Sequence, residues 1–303
     1  MTAPLRHRLL AALAVPVVAV LLAACTPNAE SPGTDTSSSD ASAGASTEAS
    51  TEPLDTIVYP IPIGGEIDYQ LGGSYPPGPN VSIVARDSSE YPAEAVYSIC
   101  YVNAFQSQPQ DAADWLDNHS ELLLMDAAGE PVIDPNWPDE MMFDTSTAAN
   151  RQAIAGIIGE TITECKNRFF DAVEFDNLDS YTRSDGALSQ QDNLDLATLL
   201  VEATHSLGMS AGQKNSVELG ERGRDEAGFD FAVAEECAQF DECGAYTDVY
   251  GEYVINIEYS DALSTPFAEI CADPATPAST VLRDRDLATP DSADYVYEAC
   301  PLG

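Results

Sequence analysis

Two acidic residues stand where short apolar runs end. Asp176 follows Ala172–Phe175, and Glu235 follows Phe231–Ala234. Carboxyl groups held on either side of a glycosidic bond can hydrolyse it. One protonates the leaving oxygen, and the other attacks the sugar or activates water. The apolar run before Glu235 predicts a desolvated carboxyl with raised proton affinity, as a general acid requires. The amide of Asn177 is placed to hold its neighbour Asp176 ionised. Lys214 is either a structural ion-pair partner or a buried cation that keeps one of the acids charged.

Other chemistries lack their signatures. The chain has no GxSxG elbow, no P-loop GKS/T and no HExxH. His119 and His205 lie in helical or loop contexts and are not read as catalysts. No metal site and no cofactor are expected. A Ca²⁺ site built from the acids is a competing reading that chelation would test.

Eight short runs alternate with longer helical patterns: Ile67–Leu71, Val81–Ala85, Ala95–Asn103, Ala172–Phe175, Met209–Gln213, Phe231–Ala234, Tyr253–Glu258 and Thr280–Leu282. Several are continuously apolar, as expected for parallel strands buried on both faces. Leu122–Asp126 reads as an extra short strand. Helices are predicted over Ala149–Cys165, with Ile154, Ile157, Ile158 and Ile162 on one face, and over Gln190–Leu207, with Ser189 as N-cap and Gly208 at C′. Eight such units predict an α/β fold, a single-domain (β/α)8 TIM barrel over residues 54–303. Polar residues cluster at the strand ends: Asp68 and Gln70, Tyr101 and Asn103, Glu174 to Asp179, Gln213 to Asn215, Glu235 and Glu236, Glu258 and Tyr259, Arg283 to Asp286. Barrel enzymes place their chemistry there, where the following loops converge. Polar turns after any strand account for part of the pattern. Asp179 serves equally as a helix cap, Glu236 as a sugar ligand or a solvent-facing acid, and the alternating charges 283–286 as paired structural ions.

Residues 1–24 read as a lipoprotein export signal: a basic stretch, an apolar run too short to span a bilayer comfortably, then Leu22-Ala-Ala-Cys25. Cys25 is the expected lipidation site. Residues 26–53 are mostly Ser, Thr, Ala, Gly, Pro and acids, a tether of roughly 90 Å when fully extended. The protein is therefore expected to be exported and anchored to the membrane, as a monomer. Of seven cysteines, Cys100, Cys165, Cys237, Cys243, Cys271 and Cys300 remain for disulfides. Short loops favour Cys237–Cys243 and Cys271–Cys300, which leaves Cys100–Cys165. A formal charge of -39 argues against nucleic-acid partners and tolerates a cationic polymer.

The strings Asp68-Tyr-Gln-Leu-Gly-Gly73, Ile99-Cys-Tyr-Val-Asn103, Phe170 to Asp179, Gly212-Gln-Lys-Asn215 and Phe231 to Cys237 resemble glycoside hydrolase family 114, the endo-α-1,4-polygalactosaminidases. The resemblance runs from about Tyr69 to Cys300. It implies an endo-acting hydrolase of α-1,4-linked galactosamine or N-acetylgalactosamine polysaccharide, with Asp176 and Glu235 as the catalytic carboxylates. We assign Asp176 as nucleophile and Glu235 as acid/base, on a retaining mechanism. It also implies Asp68, Tyr101, Asp179 and Lys214 as pocket residues, to which Asn103, Asn177 and Glu236 are added as substrate contacts. Phe175 stands where many members carry another residue, often Pro, which bears on subsite shape. The competing reading is a non-catalytic polysaccharide-binding surface lipoprotein on a barrel scaffold.

Overall fold

The structure, a computed structural model, describes residues 57–301. The export signal, Cys25 and the tether lie outside the described residues. All eight expected strands form: β1 (Glu66–Gln70), β2 (Val81–Asp87), β3 (Tyr97–Asn103), β4 (Ala172–Asp176), β5 (Ser210–Lys214), β6 (Phe231–Glu235), β7 (Val254–Tyr259) and β8 (Ser279–Arg283). They pair in chain order, each parallel to the next. The sheet is a nearly closed barrel. A ninth strand, β9 (Tyr297–Ala299), was not expected and runs antiparallel beside β8.

Side chains cross the remaining seam between β8 and β1. The guanidinium of Arg283 donates to the Tyr69 carbonyl, and its Nη1 lies 3.4 Å from Asp68 Oδ1. From β9, the Tyr297 hydroxyl donates to Glu66 at 2.9 Å and to the Ile67 carbonyl at 3.3 Å.

The strands sort their residues by the period-two pleat. Ile67, Ile83, Ile99, Ala172, Phe231, Val233, Ile255, Ile257 and Val281 form the inner core. Val102, Val173, Phe175, Ala211, Ala232 and Ala234 join the outer core with the helices. Gly212 is required by packing, because a Cβ there would sit 2.4 Å from the Phe231 ring.

The outer layer holds α1 (Ala112–Asn118), α2 (Ala148–Asn167), α3 (Gln190–Ser206), α4 (Cys243–Tyr250) and α5 (Phe267–Ala272). Ser189 caps α3 through a capping box with Asp192, and Gly208 takes the left-handed conformation that ends it. The barrel is less regular than eight βα units suggest. Turns without a helix join β1 to β2 and β2 to β3. After β3 the chain makes a long excursion before α2, and Leu122–Asp126 takes part in isolated antiparallel bridges there instead of a strand.

The three disulfides pair as loop length favours: Cys237–Cys243, Cys271–Cys300 and Cys100–Cys165. Cys100–Cys165 ties α2 to the outer face of β3. Cys237–Cys243 ties the turn after β6 to the start of α4, two residues beyond Glu235. Among the described residues no helix is long and apolar enough to cross a membrane.

Candidate active site

The carboxyl ends of β4, β5 and β6 carry Asp176, Lys214 and Glu235. Each is followed by a residue with positive φ: Asn177, Asn215 and Glu236. A left-handed residue bends the chain sharply off the strand and costs energy for any side chain other than Gly or Asn, so Glu236 marks stored strain at this rim. The turns leave Asp176, Lys214 and Glu235 facing one cleft of about 670 Å³. Tyr101, Asn136, Trp137, Asn177, Asp179, Arg183, Glu236, Tyr259 and Arg285 also line it.

Lys214 organises the centre. Its Nζ lies 3.4 Å from Glu174, Asp176 and Glu235 alike. The facing oxygens of Asp176 and Glu235 are therefore separated by no more than twice that distance. Burial alone would lower the pKa of the lysine, but the surrounding acids outweigh burial and hold it well above the usual range. Asp176 also accepts from the Tyr101 hydroxyl and from the backbone N–H of Asn177, both at 2.7 Å. Glu235 accepts from Asn215 Nδ2 at 2.9 Å and from the Tyr259 hydroxyl. Both carboxylates are thus held by donors on neighbouring strands, the preorganisation that charge-developing reactions require.

One electrostatic expectation is reversed. Burial pushes the Glu235 carboxyl up, but Lys214, Tyr259 and Asn215 together outweigh it, and its pKa falls below the ordinary carboxyl value. Glu174, one pleat below Asp176, is raised instead. Burial drives it to about 7 in spite of Lys214 and a 2.6 Å hydrogen bond from Tyr69. Among the described residues its second oxygen has no hydrogen-bond partner. Glu174 precedes Asp176 by two residues and so shares its strand face, a spacing visible in the sequence. Asn177 also acts otherwise than expected. Its backbone holds Asp176, while its side-chain amide donates to Asn103 Oδ1 at 3.0 Å.

Two expected substrate contacts lie outside the lining of the cleft. Asp68 is buried at the barrel seam, where Tyr75 and Gln70 donate to it at 2.7 and 2.8 Å and Arg283 faces it. Asn103 is buried between Asn177 and Glu140, to which it donates at 2.8 Å. The other expected contacts line the cleft. Tyr101 and Lys214 bind the catalytic candidates themselves. Asp179 pairs with Arg183 at 2.8 Å and makes no side-chain cap. Glu236 pairs with Arg285 at 2.9 Å. Phe175 points away from the cleft into the outer core, 6.4 Å from Phe229, so it does not shape a subsite directly. Sequence reasoning placed Glu174, Asn215 and Tyr259 among the strand-end residues without giving them a role, and missed Arg183 and Trp137. Among the described residues no cluster of potential metal ligands occurs.

The family model of glycoside-hydrolase family GH114 matches residues 47–302. The chain belongs to glycoside-hydrolase family GH114. It is accordingly a glycoside hydrolase, and the cleft at the β4–β6 rim is the candidate active site of a GH114 barrel. No curated protein matches the chain. Among solved structures, Aspergillus fumigatus Ega3 in complex with galactosamine is similar, with a TM-score of 0.63 at 22% identity, covering 82% of this chain and 100% of that one. The glycoside hydrolase domain of PelA from Pseudomonas aeruginosa is also similar, with a TM-score of 0.50 at 12% identity, covering 77% of this chain and 98% of that one. At these identities both speak for the barrel fold.

Proposed function

We propose that this GH114 protein cleaves α-1,4-linked galactosamine or N-acetylgalactosamine polysaccharide internally, with Asp176 as nucleophile and Glu235 as acid/base. The observation that carries this reading is that Asp176 and Glu235 face one cleft with Lys214 between them. Two carboxyls about 5 Å apart suit a covalent, retaining route, whereas inversion needs roughly 6.5–9.5 Å for an intervening water. The limit set by Lys214, twice 3.4 Å between the facing oxygens, admits the shorter separation. The crystallised complex of Ega3 with galactosamine and the acidic lining of the cleft favour a cationic amino-sugar chain as substrate.

In the first step Glu235 protonates the leaving glycosidic oxygen while Asp176 attacks the anomeric carbon. Glu235 then deprotonates a water that releases the sugar from Asp176. Because Lys214, Tyr259 and Asn215 favour ionised Glu235, its protonated form is populated in acid. The kcat/KM for polymer is therefore expected to fall as the pH rises toward neutrality.

The test compares wild type with Asp176→Asn and Glu235→Gln on galactosamine-rich exopolysaccharide, reading reducing ends. Each variant should lose activity by roughly 10³-fold or more. Equal release by all three proteins would remove the assignment, and no release by wild type would favour a purely binding role. Azide rescue of the Ala variants assigns the roles: retained product from Glu235→Ala and inverted product from Asp176→Ala are expected.

We further propose that residues 1–24 are removed on export, that Cys25 carries lipid, and that residues 25–53 tether a monomeric barrel to the membrane surface. The lipobox-like Leu22-Ala-Ala-Cys25 motivates this. Mass spectrometry of the mature N terminus checks it, and an unprocessed or unlipidated Cys25 would overturn it.

A further inference from the structure

We infer that Trp137 is a stacking platform for a sugar ring at an outer subsite of the cleft. This rests on the carbohydrate reading of the site. The chain has two tryptophans, and they are treated oppositely. Trp115 is buried in the outer core, its ring 4.0 Å from Phe143. Trp137 is 59% exposed and lines the same cleft as Asp176 and Glu235. A large apolar ring left in water beside a catalytic centre is a hydrophobic surface awaiting a partner.

The loop that carries Trp137 is fixed in place. Its sequence is Asp134-Pro-Asn-Trp-Pro138, and the flanking prolines restrict the backbone. Asp134 is fully buried, and its Oδ1 accepts from the backbone N–H of Asn136 at 2.8 Å and of Trp137 at 3.3 Å. Its other oxygen accepts from Arg183 at 2.6 Å and Gln106 at 2.5 Å. Arg183 in turn donates to Asn177 Oδ1 at 3.1 Å and pairs with Asp179 at 2.8 Å. One guanidinium therefore links the tryptophan loop to the turn that follows Asp176. The platform is registered to the catalytic carboxylates, and little freedom is lost when a ring docks on it.

The chemistry of the ring narrows the ligand. In a galacto-configured sugar the axial O4 leaves the C3, C4 and C5 hydrogens on one face, an apolar patch that fits an indole. An ammonium at C2 adds attraction to the π face. Asp139, two residues beyond Trp137 on the same loop, is exposed. The two tyrosines that line the cleft are engaged by neighbours: the Tyr101 hydroxyl is bound to Asp176, and Arg285 lies 4.4 Å from the centroid of the Tyr259 ring.

The test uses the full barrel carrying Asp176→Asn, titrated with galactosamine oligosaccharides. Calorimetry measures binding, and selective tryptophan excitation measures emission. Trp115 is shielded, so a blue shift on binding reports Trp137. Adding Trp137→Ala should weaken binding roughly five- to tenfold and abolish the shift. Trp137→Tyr should retain most of the affinity, since a ring remains. An oligosaccharide that binds by calorimetry but leaves the emission unmoved, or binds the Ala and parent proteins equally, overturns the platform alone. Absence of any calorimetric binding to the parent overturns the galactosamine reading and, with it, this ligand for Trp137.

Discussion

Two buried cations, Lys214 on β5 and Arg283 on β8, face acids inside the same barrel, and their partners set them apart. Arg283 is fully buried and spends its donors on backbone carbonyls: Val296 and Ala288 at 2.9 Å each, and Tyr69, with Asp68 as counter-ion and the Tyr295 ring 5.5 Å away. Such a network fixes chain segments to one another. Lys214 spends its donors on the Tyr69 hydroxyl and three carboxylates, two of which open onto the cleft. Tyr69 joins the two networks, its carbonyl facing Arg283 and its hydroxyl facing Lys214. Burial of charge is common to both sites. Only the one whose partners reach solvent can act on a ligand.

The largest expected effect lies at the structural cation. Arg283→Met leaves three carbonyls without their donor and the buried Asp68 without its counter-ion, and should cost about 3–5 kcal/mol of folding stability, measured by denaturant unfolding. Lys214→Met should cost less than this, because Glu174 can take up a proton when its counter-ion is lost. Its effect should fall on chemistry instead. A loss of roughly 10²-fold in kcat/KM is expected, with the basic limb of the pH profile moved upward as Glu235 loses its stabilising charge. Equal destabilisation by the two substitutions, or an unmoved pH profile for Lys214→Met, would break the contrast between them.

The smallest effect sharpens the role of Glu174. Its folded pKa of about 7 lies above the ordinary carboxyl value of 4.5. The folded state therefore binds more protons than the unfolded state between those values. The resulting stability is fully present below about 4.5 and lost as the pH rises through about 7. Glu140, also raised to about 7 by burial, contributes with the same sign. Glu235, held low, contributes with the opposite sign, losing its stabilisation as the pH falls through its folded pKa. Glu174→Gln should flatten the decline in stability between about pH 4.5 and 7, followed by thermal unfolding across that window. An unchanged decline would show that Glu174 does not titrate there.

Much of the fold was legible because it depends on local pattern. The eight strands lie within one or two residues of their expected places, since buried parallel strands are continuous apolar runs with polar ends. The capping box at Ser189 and the helix stop at Gly208 were equally local. The β3–α2 excursion and β9 were not, because isolated bridges and a three-residue strand leave almost no periodic signal.

At the site, residue types and strand ends in the sequence point to Asp176, Glu235 and Lys214. Which charges meet, and which proton is favoured, depends on distances between strands. The apolar run before Glu235 announces desolvation, the largest single influence on its carboxyl, but Lys214 from β5, Tyr259 from β7 and Asn215 reverse the outcome. Asp68 looks like a pocket acid until the seam puts Arg283 against it. Local sequence thus fixes which residues end each strand and which face they take, because the pleat repeats every two residues. Closure of the barrel decides proton affinities and ligand access, because electrostatic energy depends on through-space separation and burial, and neither is a local property of the chain.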